Sequence, residues 1–226
     1  MGDAIGQILA SAVGIAISPV PLIAMVLMLA TPRARSNGLA FTAAWAVALG
    51  VVVTAVLLAS SGGRASAGDG DPATWTLWVK LGLGVLFLAM AVLQWRGRPA
   101  EGQPASTPGW MKALDTFTPL KAAGLAAALA VANPKNLVLT VGGALSIAGS
   151  GGSPGGRTVA AVVMVLIGSL CTIVPLSVYL LGGTRSAQVL GGWKAWMSAH
   201  NAAIMMTLLA VLGAKYMGDA VSGLTS

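Results

Sequence analysis

Charge is what this chain has least of: 8% of its 226 residues are Asp, Glu, Lys or Arg, and only six residues are acidic. A soluble domain carries charge on about a quarter of its residues, so a water-facing globular surface is excluded. Cysteine is almost as scarce. Cys171 stands alone in an apolar stretch, which rules out an intramolecular disulfide and dithiol chemistry, and with them the thiol-disulfide membrane carriers. Its ordinary role is that of a small buried hydrophobe. Aromatic residues make up 5% and do not interleave with clustered basic residues, so the net charge of +7 does not mark a nucleic-acid surface. No His-Glu-x-x-His, Gly-x-Ser-x-Gly or paired aspartates occur, and no nucleotide-binding motif is present. The chain is therefore expected not to be an enzyme and to need no cofactor or metal. ATP would drive it only through a partner.

What the chain has is apolar length. Apolar residues account for 56% of it and its mean hydropathy is +0.84. About 20 apolar residues span a bilayer as a helix, and six windows qualify, at residues 4–30, 38–60, 73–95, 119–148, 157–182 and 199–222. An all-α integral membrane protein with six transmembrane helices follows. The N-terminus carries Asp3 in place of a basic n-region, and its apolar run is too long for a signal peptide, so the first segment is expected to remain. Arg33, Arg35, Arg96, Arg98, Lys112, Lys121, Arg185 and Lys194 collect after odd-numbered segments, whereas the opposite loops offer mainly Arg64, Lys80 and Arg157, with Lys215 near the C-terminus. The positive-inside rule then makes the odd-to-even loops cytoplasmic and puts both termini outside.

Two segments are interrupted. Ser18-Pro19-Val20-Pro21 breaks the first, and Ala132-Asn133-Pro134-Lys135-Asn136 breaks the fourth at a similar depth. Proline removes a backbone donor and pushes the preceding residue out of helical geometry. Asn133 followed by Pro134 has the form of an N-cap with proline at the first helical position. A half-helix starting there would point its N–H groups and positive dipole end into the break, and Lys135 would add a full charge. That combination favours an anion over a cation. The alternatives are prolines that merely kink packed helices and a Lys135 that snorkels to an interface.

Interrupted segments in corresponding positions of two halves point to a transporter site between inverted repeats. Here residues 1–96 form one three-helix half, 97–118 a Pro-, Gly- and Ser-rich cytoplasmic linker, and 119–226 the second half. An odd number of spans per half makes the repeats inverted. Fewer expectations attach to other polar residues. Asp3 and Lys80, and Lys215 with Asp219 one turn on, suit solvated helix ends, and His200 and Asn201 an interfacial position. Trp75, Trp78, Trp95, Trp110, Trp193 and Trp196 flank segments as an interfacial belt, with Trp45 deeper. Gly50, Gly82, Gly84, Gly142, Gly143 and Gly168 would allow helices to approach closely.

Six spans in two halves, with proline breaks in segments one and four and Asn133-Pro134-Lys135 in the latter, resemble the lysine-exporter (LysE) superfamily. The stretches Ile15 to Leu22 and Ala132 to Leu137 resemble most closely its GAP branch, the peptidoglycolipid-addressing or Sap-type proteins. Amino-acid exporters of that superfamily tend to carry Gly-Pro at the first break; here it is Ser-Pro-Val-Pro. The resemblance implies a transporter or flippase moving an anionic lipid-linked or glycolipid substrate across a bacterial plasma (inner) membrane. Its site would be built from Ser18, Pro19, Pro21, Asn133, Pro134, Lys135 and Asn136. The other roles left open are export of a small solute such as an amino acid and a non-transporting scaffold in a lipid-export machine. Anticipated partners are the lipid substrate, membrane lipids, lipid-synthesis or export proteins and a second copy of the chain as a homodimer; nucleic acid is not among them.

Overall fold

The computed structural model describes residues 2–66, 74–96 and 117–225, with side chains for 8–60, 77–96 and 117–225. Most of the expected linker, with Arg98, Trp110 and Lys112, lies outside the described residues, as do the side chains of Asp3, Arg64 and Trp75. The described chain is helical without strands. The helices are α1 (Gly2–Ala16), α2 (Pro19–Leu29), α3 (Ala34–Ser66), α4 (Thr74–Arg96), α5 (Pro119–Val131), α6 (Pro134–Gly149), α7 (Pro154–Gly168), α8 (Leu170–Leu181) and α9 (Ser186–Thr225).

Four helical stretches are long and apolar enough to cross a membrane, and six if each sharply bent pair counts as one span. The protein is a membrane protein. The first break does not fold its helix sharply, and α1 and α2 together make the single span Ile8–Leu29. The α5–α6 pair bends by 66° and the α7–α8 pair by 55°. The second bend falls inside a segment that hydropathy alone reads as continuous. A further difference is α9, whose 40 residues amount to about 60 Å of helix, twice the hydrocarbon thickness. Its start lies ahead of the apolar window at residue 199, so Trp193, Lys194 and Trp196 sit on helix and not in a loop.

Helix packing places the two interrupted spans at the centre. The most extensive pairing is α4 along α9, antiparallel, with Gly84 against Met217, Leu88 against Gly213 and Leu77 against Gly223. Phe87 stacks on Tyr216 at 5.8 Å between ring centroids. The buried half of α6 lies antiparallel to α1, where Ser18 meets Asn136, Gly14 meets Leu139 and Ser11 meets Gly143. At the far end of that seam the Tyr216 hydroxyl is hydrogen-bonded to Ser11 Oγ at 2.9 Å. α3 covers α5 and α6, while α7 covers α1. Asn37 Nδ2 donates to the Phe117 carbonyl at 3.0 Å, tying the start of α3 to the start of α5 and gathering Arg33, Arg35 and Lys121 at one end.

Glycine earns its place unevenly. At Gly84, Gly142, Gly143 and Gly168 an added methyl would press on a neighbouring helix, but Gly50 and Gly82 have open space. Gly142 is the tightest, since its face receives the Tyr216 ring edge and hydroxyl. Overpacking costs about 1–3 kcal/mol, so Gly142→Ala should lower the thermal unfolding temperature in detergent. Gly82→Ala, on the same measurement, should leave it unchanged or slightly raised.

Candidate functional site

The fourth-span break begins with what proline cannot do. Pro134 has no N–H to give to Ala130 and keeps its predecessor out of the α region, and Asn133 accordingly has φ −77° and ψ 111°. Asn133 then caps the new helix, its Oδ1 accepting from the Lys135 backbone N–H at 3.1 Å, as an N-cap should. Pro134 itself faces outward and shapes only the backbone. The side chains of Lys135 and Asn136 turn inward and are buried.

Asn136 joins the two breaks. Its Nδ2 donates to the Leu129 carbonyl at 3.1 Å, satisfying one of the acceptors that α5 leaves open at its end. Its Oδ1 accepts from Ser18 Oγ at 3.2 Å. Thr140 Oγ1 donates to the Asn136 carbonyl at 2.7 Å, one turn on. Ser18 has φ −73° and ψ 112°, nearly the geometry of Asn133, yet its hydroxyl does not cap α2. It is free to cross to the other break. Pro19 and Pro21 pack into the core behind it. Of the seven residues expected from the sequence, Ser18 and Asn136 are in direct contact across the two breaks, Asn133, Pro134 and Lys135 share the turn before Asn136 with Pro134 facing outward, and Pro19 and Pro21 follow Ser18 in the core.

Lys135 is 3% exposed, so it does not snorkel to an interface, and Nζ has no hydrogen-bond partner among the described residues. No carboxylate answers it there either. Asp219, the one acidic residue whose side chain is described, lies 2.7 Å from Lys215. A lysine at the centre of a membrane helix costs about 2.5–3.5 kcal/mol on insertion scales, and the N-terminus of α6 adds positive potential. In charge the arrangement is suited to an anion; among the described residues no group of three or more His, Cys, Asp or Glu side chains that could hold a metal ion occurs.

Sequence reasoning missed the site's other side. α7 ends at Gly168 and α8 starts at Leu170. Ser169 Oγ bonds back to the Val165 carbonyl at 2.7 Å, a contact that bends helices. The Thr172 N–H turns to the Ser169 carbonyl at 2.9 Å, leaving the Gly168 carbonyl outside the ladder. Trp45 Nε1, from α3, donates to it at 3.2 Å. Cys171, in the first turn of α8, lies near enough to Lys135 for the two to interact electrostatically. Gly168 also packs on Ile15, just before the first break. Gly168-Ser169 followed by Pro175 was the available signal, since kinks gather at Gly/Ser pairs and prolines.

The profile of a family described as Sap, sulfolipid-1-addressing protein, matches residues 8–222. The chain belongs to this Sap family. No curated protein and no solved structure matches it. The matched stretch contains all three helix breaks, so Lys135 and its surroundings lie within the Sap region of the chain.

Two substitutions separate scaffold from charge in this Sap-family site. Asn136→Ala strands the Ser18 hydroxyl and the Leu129 carbonyl, each unpaired buried group costing about 1–3 kcal/mol, and should lower the unfolding temperature markedly. Lys135→Met removes an unanswered charge and should raise the unfolding temperature of the ligand-free protein, by an amount on the order of 2–3 kcal/mol. Thermal unfolding of both variants in detergent checks the pair; a Lys135→Met protein less stable than wild type would mean that the charge is compensated.

Proposed function

We propose that the protein moves a lipid with an anionic head group across the membrane, with Lys135 as the receptor for that group. The observation that carries this is the buried Lys135 side chain at the start of a half-helix, its Nζ without a hydrogen-bond partner among the described residues. Intramembrane charges of this kind mark substrate paths, and stability alone would favour an apolar residue there. The family's description points to a sulfolipid, and a sulfate ester is an anion that stays charged at any physiological pH. Asn136 and Ser18 would hold the two breaks in register around it.

Two inverted halves fit this reading. Ser18 and Asn133 share nearly the same backbone geometry, and α3 covering α5 is answered by α7 covering α1. These correspondences support the LysE-like architecture of opposed repeats with the substrate between them. Exposed Arg33, Arg35, Lys121 and Arg185 would face the cytoplasm of a bacterial inner membrane under the positive-inside rule. Lipid-synthesis enzymes on that side would supply the substrate.

Native mass spectrometry of the protein extracted with its own lipids tests the reading. Wild type should retain one anionic lipid class that Lys135→Met has lost, and a fluorescent sulfated lipid in proteoliposomes should change leaflet only with wild type. Equal retention and equal flipping by both proteins would remove Lys135 from the mechanism. Efflux of a soluble amino acid dependent on Lys135 would assign the site to small-solute export instead.

A further inference from the structure

Lys135 is closed off on every side, so a head group reaches Nζ only if one wall moves. The α1–α6 wall is cross-linked by Ser18 to Asn136 and, through Ser11, to Tyr216 on α9. α8 is different: it packs along α2, which starts at the first break beside Asn136, and carries Cys171 within electrostatic reach of Lys135. The side-chain hydrogen bonds that Cys171 and Thr172 give go back to Gly168 and Ser169 at their own break, and among the described residues no α8 side chain is hydrogen-bonded to another helix. α8 is held by packing, and its hinge by one bond from outside, Trp45 Nε1 to the Gly168 carbonyl at 3.2 Å.

The indole is well placed for that task. Trp45 is fully buried, and Phe41, one turn earlier on α3, lies parallel to it at 6.4 Å and 7°. Leu49, one turn later, packs on Gly168 together with Ile15. A buried site of this shape could be filled by phenylalanine; what tryptophan adds is one N–H, and that N–H meets the carbonyl that the bend has released. Freed from the indole, the same carbonyl would keep only the weak Cys171 thiol donor from its own break, and losing the stronger partner in a water-poor interior is a cost that closes the bend.

We infer that Trp45 is a positioning residue that latches the α7–α8 hinge at Gly168, so that α8 acts as the movable wall over Lys135 and swings aside to admit the anionic head group. The inference rests on Lys135 being the head-group receptor. Opening exposes Cys171 in the first turn of α8, and because it is the chain's single cysteine it reports the motion without further engineering.

The experiment is the rate of Cys171 modification by N-ethylmaleimide in full-length protein reconstituted in vesicles, with and without a sulfated glycolipid in the bilayer. Trp45→Phe should speed modification about tenfold, the factor that corresponds to losing one buried hydrogen bond. As a control, a cysteine placed at Ser11 in a Cys171→Ser background reads the α1–α6 wall and should not speed up when Trp45→Phe is added. Acceleration at both positions, or at neither, overturns the latch. Sulfated lipid bound at Lys135, once α8 has closed back over it, shields the adjacent Cys171 and should slow its modification in wild type and leave it unchanged in Lys135→Met. If Trp45→Phe accelerates Cys171 alone but the lipid alters nothing in wild type, the hinge stands and the head-group assignment of Lys135 fails.

Discussion

At the centre of the helical bundle lies a buried lysine amine that no described side chain partners. In water such a group costs nothing to leave alone; inside a helical membrane bundle it must be compensated or tolerated at a price in stability. Little around it offers compensation: it stands in the first turn of α6, whose N-terminal end is positive, Asn133 Oδ1 is used in capping that helix, and the one described carboxylate is paired with Lys215. A fold under selection for stability alone would have placed leucine at this position. Under the proposed function, the missing negative charge comes from the ligand.

Three helix breaks make such a site possible without water. Backbone that leaves the helical ladder at membrane depth needs other partners, and the second and third breaks find them in side chains, while the first is tied to the second through Ser18. Asn136 answers the end of α5, Ser18 answers Asn136, and Trp45 answers Gly168. The polar groups near Lys135 are thus engaged in holding backbone, while the ammonium alone is left over. Rigid half-helices with separately satisfied ends can also move as units, which gives a bundle of this size a way to open one wall while the others stay closed.

Much of this was readable from residues. The apolar windows coincide with four long apolar stretches and two bent helix pairs, and Asn133-Pro134-Lys135 announced a capped half-helix with a lysine in its first turn, which the structure contains. The pairing of Ser18 with Asn136 could be anticipated only as proximity, because a hydrogen bond between residues 118 apart depends on how the halves dock. The break at Ser169 was hidden by hydropathy, which sums side-chain transfer energies and does not register a serine bonding back to its own helix. Trp45 resembled a packing residue for the same reason: its partner is a backbone carbonyl, and a sequence carries no mark of which carbonyls a bend will release. The length of α9 escaped because its first turns are amphipathic, with Trp193, Lys194 and Trp196, and fall below an apolar threshold while remaining good helix.

The claim that matters most is the location of the head group, and photocrosslinking addresses it directly. A sulfated lipid carrying a diazirine beside the sulfate would be reconstituted with wild-type protein, activated, and its adducts mapped by peptide mass spectrometry. Adducts concentrated on Asn133 to Asn136 and on Ser169 to Thr172 are the predicted result. Adducts confined to the basic helix ends around Arg33, Arg35, Arg96 and Lys121, with none at the breaks, would contradict the account.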